Sequence, residues 1–115
     1  MTKNRVLFVC MGNICRSAAG EAVMKRFADE FDLNVDVDSA GTHDFHVGEK
    51  ADARMRAAAE ARGYELSSRA RQVTKEDLDD GVFDLVLAMD NANYKTLIAL
   101  ADRPTTHIRI FSDYL

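Results

Sequence analysis

The apolar residues of this chain follow two spacings, and these predict alternating strands and helices. Unbroken apolar runs are typical of strands buried on both faces of a sheet, whereas apolar and polar residues in alternation indicate a half-exposed strand. The second predicted strand is of the alternating kind. The four predicted strands are residues 5–10 (RVLFVC), 34–38 (NVDVD), 83–89 (FDLVLAM) and 107–111 (HIRIF).

Helical spacing separates these strands. The first predicted helix starts at Ser17 and is amphipathic over three to four turns. Its apolar residues recur at every fourth position: Ala19, Val23, Phe27 and Phe31. An alanine-rich helix is predicted from Asp52 to Arg62, with Gly63 as its stop signal.

Two further helices complete the pattern. Thr74 and Asp77, three residues apart, predict the cap of a short helix. A longer helix is predicted after the third strand, with apolar and aromatic residues Tyr94, Leu97, Ile98 and Leu100.

This alternation predicts a doubly wound α/β fold in one domain, residues 1–115. We expect a four-stranded parallel sheet in the order 2-1-3-4, with helices on both faces. Ligands of such sheets bind outside the carboxyl ends of the strands, where the strand order switches. The residues at those ends are Cys10, Asp38, Met89 and Phe111.

Composition and charge narrow the function classes. With 47% hydrophobic and 30% charged residues, the composition is typical of a folded domain. A net charge of −4 without a basic stripe argues against a nucleic-acid partner. The longest apolar run, residues 6–11, is too short to span a membrane, and no signal-peptide pattern is seen. Two cysteines cannot build a disulfide framework, so a cytoplasmic protein is expected.

The histidines predict no metal site. His43, His46 and His107 have no neighbouring cluster at metal-ligand spacing, and a C-x4-C pair alone is a poor zinc signal. Solvent contact is the expected role of the two loop histidines, and no cofactor is expected.

The segment C-M-G-N-I-C-R-S (10–17) joins the first strand to the first helix and carries candidate chemistry. Cys10 lies at a helix N-terminus, where the helix dipole and unpaired N–H groups stabilise a thiolate. Gly12 and Asn13 are residue types that tolerate the positive φ of a loop with inward-pointing N–H groups. Arg16 can hold two oxygens of one phosphate, and the Ser17 hydroxyl can donate to the Cys10 sulfur.

A tetrahedral dianion fits such a loop. The backbone N–H groups, the helix N-terminus and Arg16 would bind its oxygens, with the Cys10 sulfur beneath the phosphorus. That arrangement favours a phosphothiol intermediate that water then hydrolyses. A cysteine at a strand end is usually a small buried hydrophobe, but C-x5-R on a strand-loop-helix favours the nucleophile.

These residues resemble the low-molecular-weight protein tyrosine phosphatases, and the resemblance covers nearly the whole chain. It rests on blocks VLFVCMGNICRS (6–17), SAGT (39–42), FHVG (45–48), ARQVT (70–74) and FDLVLAMDNAN (83–93). The family fold, a four-stranded parallel sheet flanked by helices, agrees with the pattern above. The resemblance implies a phosphotyrosine protein as substrate and a phosphate or other oxyanion bound in the loop.

The resemblance also implies roles for single residues. Cys10 would be the nucleophile, and Arg16 would hold the phosphate. Ser17 would assist thiolate release in the second step. Asn13 would keep the loop in shape through contacts that include Ser39.

Further roles concern the phosphate-binding loop, whose residues after the nucleophile are Met11, Gly12, Asn13, Ile14 and Cys15, and the wall beside it. Phe45 would form an aromatic wall beside the substrate ring, with Met11 on the loop side. Ile14 is similar to the tyrosine-directed members, whereas threonine there would suggest protein-arginine phosphatases. Cys15 would be a redox guard able to bridge Cys10 reversibly.

The chain departs from the family pattern at its end. Members protonate the leaving phenolate with an aspartate in an Asp-Pro-Tyr-Tyr stretch, which a closing helix follows. Here the one proline follows Arg103 and the sequence ends at FSDYL (111–115). The general acid and the closing helix are therefore expected to be absent. Asp113 is a weak substitute acid, and Asp90 is expected to cap its helix or to orient Arg16.

Impaired turnover and self-association through an uncovered apolar face are the expected consequences. The alternative is an oxyanion- or phosphotyrosine-binding module without effective turnover. Arsenate reductase chemistry needs further cysteines, and none follows Cys15. A phosphocysteine carrier of sugar transport systems needs no arginine at position 16.

Overall fold

The computed structural model describes residues 4–102 and 107–114, with side chains as far as residue 112. Four strands alternate with three α-helices. The strands are β1 (Asn4–Cys10), β2 (Val35–Gly41), β3 (Leu85–Ala88) and β4 (Ile108–Ile110). The helices are α1 (Arg16–Glu30), α2 (Ala53–Ala61) and α3 (Asn91–Ala101), with 3₁₀ turns at Glu76–Leu78 and Phe111–Tyr114.

The strands form one parallel sheet in the order β2-β1-β3-β4, which confirms the predicted fold class. Strand β1 lies inside the sheet, and its Phe8 is in register with Ser39 of β2 and Leu87 of β3. The sheet order switches at β1, because β2 lies on one side of it and β3 on the other. Cys10 ends this strand and therefore lies where a ligand of such a sheet is expected.

Alternate residues of β1 pack on opposite faces of the sheet. Leu7 and Val9 belong to one buried cluster with Leu97 of α3. Val6 and Phe8 belong to another, against which Met24 of α1 packs. Helices α1 and α3 therefore cover opposite faces, while the exposed helix α2 lies against α1.

The apolar stripe that the spacing marks on the first helix is not the most buried face of α1. Phe27 and Phe31 are 46% and 61% exposed, and their rings stack on each other with centroids 5.9 Å apart. The buried residues of this helix are small or polar: Ser17, Ala18, Glu21, Ala22 and Ala28. The physical reason is close packing, since a Cβ on Gly20 would lie 2.9 Å from the Phe8 ring. Spacing alone could not show that small residues face the sheet.

The predicted helix signals are confirmed, and the strand ends differ. Asp52 caps α2 by accepting from the Met55 amide at 3.1 Å, and Gly63 has a φ of 83° just beyond the helix. Thr74 and Asp77 cap each other's backbone amides, as predicted. Strand β2 runs three residues further than predicted, and β3 is shorter at both ends.

In the part of the chain that the structure describes, none of the helices has the length and apolar character needed to cross a membrane.

Candidate active site

The loop between β1 and α1 forms the floor of a cavity of about 220 Å³ at the carboxyl end of β1. This cavity gathers residues from two segments of the sequence, the loop itself and the segment after β2. Its lining comprises Cys10, Met11, Gly12, Ile14, Cys15, Arg16, Phe45 and His46. Seven of these eight are residues that the sequence singled out, and His46 is the addition.

Cys10 is buried and has a hydroxyl as its polar neighbour. Its Sγ lies 3.0 Å from Oγ of Ser17, the second residue of α1. The side chain of the loop residue Asn13 is fully buried, with Nδ2 at 2.8 Å from Ser17 Oγ and at 2.9 Å from Ser39 Oγ. The contact of Asn13 with Ser39 is thus present, as the family resemblance implied.

The donor and the acceptor of each of these hydrogen bonds can be assigned from the groups at the two ends of the network. The backbone N–H of Arg71 donates to Asn13 Oδ1 at 3.0 Å, so the amide nitrogen of Asn13 faces the two serines. Ser39 in turn donates to the buried carboxylate of Glu21, which can only accept. Ser17 therefore accepts from Asn13, and its own proton is available to the Cys10 sulfur.

Glycine and asparagine play different parts in the loop. Asn13 has a φ of 59°, in the left-handed region that asparagine tolerates. Gly12 does not adopt the positive φ that glycine would tolerate there. Gly12 is instead a point of close approach, because a Cβ there would lie 3.0 Å from Cδ2 of His46.

Arg16 is held at the first turn of α1 by an ion pair. Its Nη2 lies 3.1 Å from Asp90 Oδ2, and Asp90 Oδ1 accepts from the backbone N–H of Asn93 at 2.8 Å. The Asn93 amide lowers the pKa of the Asp90 carboxyl, burial opposes this, and Arg16 lowers it further. Asp90 therefore makes both anticipated contacts: it caps α3, and it holds the Arg16 guanidinium at the cavity.

Cys15 is the second thiol of the loop and lies at the N-cap of α1. Burial raises the pKa of the Cys15 thiol, the charges of Asp52 and Cys10 raise it further, and Arg16 opposes them. Cys15 therefore remains a neutral thiol at neutral pH. Both cysteines are free in the structure.

An exposed aromatic ring forms the wall of the cavity. Phe45 is 68% exposed and stacks on His43 with ring centroids 5.1 Å apart. The His43 ring is held in turn by Thr42, whose Oγ1 lies 2.9 Å from Nδ1. Met11 is also exposed and lines the same cavity from the loop side, as predicted.

His46 is the functional candidate that the sequence did not reveal. Solvent contact alone was expected for it, whereas the structure places it half-buried in the cavity wall. Its Nδ1 lies 2.8 Å from Oε2 of Glu49. The available signal was its position in the segment that follows the carboxyl end of β2, where ligand-binding residues are expected.

The described carboxylates lie outside the lining of this cavity. The side chain of Asp113, the weak substitute acid, lies outside the described residues. Between residues 4–102 and 107–114, no three His, Cys, Asp or Glu side chains are grouped to hold a metal ion.

A second, larger cavity of about 510 Å³ opens beside α1 and is almost wholly apolar. The apolar stripe of α1, residues Ala19, Val23 and Phe27, lines this cavity. We call it the apolar groove; it is lined by Phe8, Arg16, Ala19, Gly20, Val23, Met24, Phe27, Leu33, Met55, Met89 and Phe111.

A cysteine that accepts from a buried serine, beside an arginine at the switch point of a parallel sheet, fits the cysteine-dependent phosphoester hydrolases. The family described as low molecular weight phosphotyrosine protein phosphatase matches residues 5–115. The chain belongs to this family.

Two curated relatives show the extent of the similarity. A putative low molecular weight protein-tyrosine-phosphatase of Synechocystis is 42% identical over 114 residues, which are 96% of this chain and 71% of the relative. The human low molecular weight phosphotyrosine protein phosphatase is 42% identical over 94 residues, 80% of this chain and 58% of the relative. The chain thus spans between about a half and three quarters of these relatives.

Solved structures agree with the fold. YfkJ from Bacillus subtilis superimposes with a TM-score of 0.94 at 36% identity, over 100% of this chain and 74% of that one. A protein tyrosine phosphatase from Entamoeba histolytica superimposes with a TM-score of 0.86 at 42% identity, over 97% of this chain and 72% of that one. A Drosophila arginine phosphatase superimposes with a TM-score of 0.85 at 34% identity, over 95% of this chain and 71% of that one.

Proposed function

We propose that this chain hydrolyses phosphotyrosine in proteins through a phosphothiol intermediate on Cys10. One observation carries the proposal: the Ser17 hydroxyl lies 3.0 Å from the Cys10 sulfur at the floor of a cavity that Arg16 also lines. A hydroxyl donor stabilises a thiolate, and a guanidinium binds phosphate oxygens. The site therefore combines a nucleophile with a phosphate clamp.

The first step transfers the phosphoryl group. The Cys10 thiolate attacks phosphorus, the P–O bond to the phenol breaks, and Arg16 with the loop amides binds the remaining oxygens. Water attacks the same phosphorus in the second step, and the S–P bond breaks. Ser17 then donates to the departing sulfur, so that Cys10 leaves as a stabilised thiolate rather than as a strong base.

An aromatic phosphoester is the substrate class that the cavity wall favours. Phe45 presents an exposed ring that stacks on His43. Such a ring can pack against a phenyl group, whereas a guanidinium phosphate offers a narrower apolar surface. Ile14 supports the same substrate class, because the family resemblance associates isoleucine at this position with the tyrosine-directed members.

Departure of the phenol limits the rate in this proposal. The described carboxylates do not line the cavity, so a carboxylic acid is not among the described groups that could protonate the leaving oxygen. Loss of such a donor typically slows the step by about 10²–10⁴-fold. Impairment is therefore proposed for weakly acidic leaving groups more than for nitrophenolate. A thiolate nucleophile also needs a reducing compartment, so we place the activity in the cytoplasm.

The test compares two cysteine variants on p-nitrophenyl phosphate. Cys10→Ser is expected to abolish turnover, whereas Cys15→Ser, the matched loss of a thiol from the same loop, retains it. Unchanged turnover in Cys10→Ser would contradict the mechanism. Tight binding of vanadate without any release of nitrophenol would favour an oxyanion- or phosphotyrosine-binding module instead.

We also propose that the apolar groove supports self-association of the chain. The observation is that Phe27 and Phe31 stack beside the groove while remaining half exposed, which favours burial against a second copy. Phe27→Lys is expected to shift sedimentation toward monomer, whereas Val47→Lys, an exposed apolar residue elsewhere, does not. A wild-type monomer at every concentration would contradict this proposal.

A further inference from the structure

We propose that Glu21, a buried carboxylate of α1, is a positioning residue for the nucleophile. It keeps the hydroxyl proton of Ser17 directed at the Cys10 sulfur, although it does not line the cavity. Glu21 is 5% exposed, and a carboxylate is rarely buried to this extent unless its oxygens are paired. This role rests on the proposed phosphatase function and adds a residue to it.

Helix α1 places Ser17, Glu21 and Lys25 four residues apart, and therefore on one helix face. Oε1 of Glu21 accepts from the Ser39 hydroxyl, and Oε2 pairs with Nζ of Lys25. The Ser39 oxygen in turn accepts from Asn13 Nδ2 at 2.9 Å. These contacts join the surface to the nucleophile in a series that we call the polar chain. In order, it comprises Lys25, Glu21, Ser39, Asn13, Ser17 and Cys10.

The polar chain has a second possible arrangement of its protons. A hydroxyl can donate or accept, and the amide of asparagine can present either its oxygen or its NH₂ group. If Ser39 turned its proton toward Asn13, the Asn13 oxygen would face both serines. Ser17 would then donate to Asn13, and the Cys10 sulfur would lose its hydrogen-bond donor.

Glu21 opposes this reversed arrangement because a carboxylate can only accept. Ser39 therefore donates to Glu21 and offers Asn13 a lone pair. The backbone N–H of Arg71, 3.0 Å from Asn13 Oδ1, favours the same orientation of the amide. The direction of the polar chain is thus set by an acceptor at Glu21 and by a donor at Arg71.

Lys25 makes the role of the Glu21 charge testable. Its side chain is 53% exposed and its ammonium can only donate. The glutamine introduced by Glu21→Gln has one acceptor oxygen, which this ammonium attracts. The NH₂ group of the glutamine then faces Ser39, whose own proton turns toward Asn13. Glu21→Gln is therefore expected to reverse the polar chain, although it preserves the size of the side chain.

The kinetics of Glu21→Gln, Lys25→Met and the double variant on p-nitrophenyl phosphate test this role. We expect Glu21→Gln to lower kcat by about tenfold or more, because Ser17 no longer donates to the sulfur. Lys25→Met alone should stay within about threefold of wild type, since the carboxylate still accepts from Ser39. In the double variant the glutamine oxygen is free to turn to Ser39, so most of the lost turnover should return. Two independent losses would instead add.

Ser17→Ala provides a second readout, because it lacks the hydroxyl through which Glu21 acts. Adding Glu21→Gln to Ser17→Ala should therefore lower kcat no further. Ser39→Ala breaks the polar chain at a neutral residue, and Glu21→Gln should have no effect in that background either. Urea unfolding of each variant checks that the fold is retained.

Two results would overturn the role of Glu21. One is wild-type turnover in Glu21→Gln. The other is a loss that Lys25→Met does not relieve and that has the same size with and without the Ser17 hydroxyl, which would show that Glu21 supports the fold alone. The proposed function fails separately, if Cys10→Ser still turns over p-nitrophenyl phosphate.

Discussion

The side-chain amide of Asn13 donates a hydrogen bond of 2.8 Å to the hydroxyl of Ser17, and both residues are fully buried. This bond settles the direction of the next one, because an oxygen that accepts from Asn13 has its own proton free for the Cys10 sulfur, 3.0 Å away. The nucleophile therefore depends on a loop residue whose buried side chain does not line the cavity.

Replacement of Asn13 by aspartate isolates this donor function. Asp matches the size of Asn and tolerates the φ of 59°, but its carboxylate cannot donate to Ser17 or Ser39. We expect a loss of about 1–3 kcal/mol in the free energy of unfolding. We also expect turnover to fall by at least about tenfold, or 1.4 kcal/mol of transition-state stabilisation. Urea unfolding and nitrophenyl phosphate kinetics measure the two effects, and wild-type kinetics would refute the donor role.

Asp90 combines a cap and an ion pair, which two substitutions separate. Asn caps helices as well as Asp does, so Asp90→Asn should keep the bond to the Asn93 amide and lose the charge that holds Arg16. We expect it to raise KM severalfold, with nearly unchanged stability. Asp90→Ala loses both contacts and should cost about 1 kcal/mol of stability as well. If the two variants were kinetically identical to wild type, Asp90 would not orient Arg16.

Stability at acid pH depends on the contacts of Asp77. Burial raises the pKa of this carboxyl, but the hydrogen bonds from Arg71 and Thr74 more than offset it, and the pKa falls below its ordinary 3.8. A depressed carboxyl pKa adds stability above the unfolded value, and that stability is lost as pH falls through the folded value. We expect Asp77→Asn to be less stable than wild type by about 1–3 kcal/mol at neutral pH.

The difference between Asp77→Asn and wild type should shrink below about pH 4, where the wild-type carboxyl becomes protonated. Urea unfolding of both proteins across this range measures it. A difference that stays constant with pH would show that the charge of Asp77 contributes nothing beyond its shape.

The strands and the loop could be predicted from the sequence, because buried strands leave unbroken apolar runs and C-x5-R between a strand and a helix is typical of a phosphate-binding loop. The contact between Asn13 and Ser39 could be predicted only from the family resemblance, because 26 residues separate them in sequence and the folded sheet brings them together. The apolar spacing of α1 did not show which residues are most buried, because Gly20 brings the helix too close to Phe8 for large side chains. His46 was missed because its neighbour Gly12 is distant in sequence.

The central claim is that the phosphoryl group passes through the Cys10 sulfur. The chain is mixed with p-nitrophenyl phosphate, quenched in alkali during turnover because the S–P bond is labile in acid, digested, and analysed by mass spectrometry for a phosphoryl group on the peptide that contains Cys10. We predict that the group is found on Cys10, that it accumulates in Ser17→Ala because thiolate release is slowed, and that it is absent in Cys10→Ala. Nitrophenol release in the wild type, without a phosphoryl group on Cys10 in either the wild type or Ser17→Ala, would contradict the account.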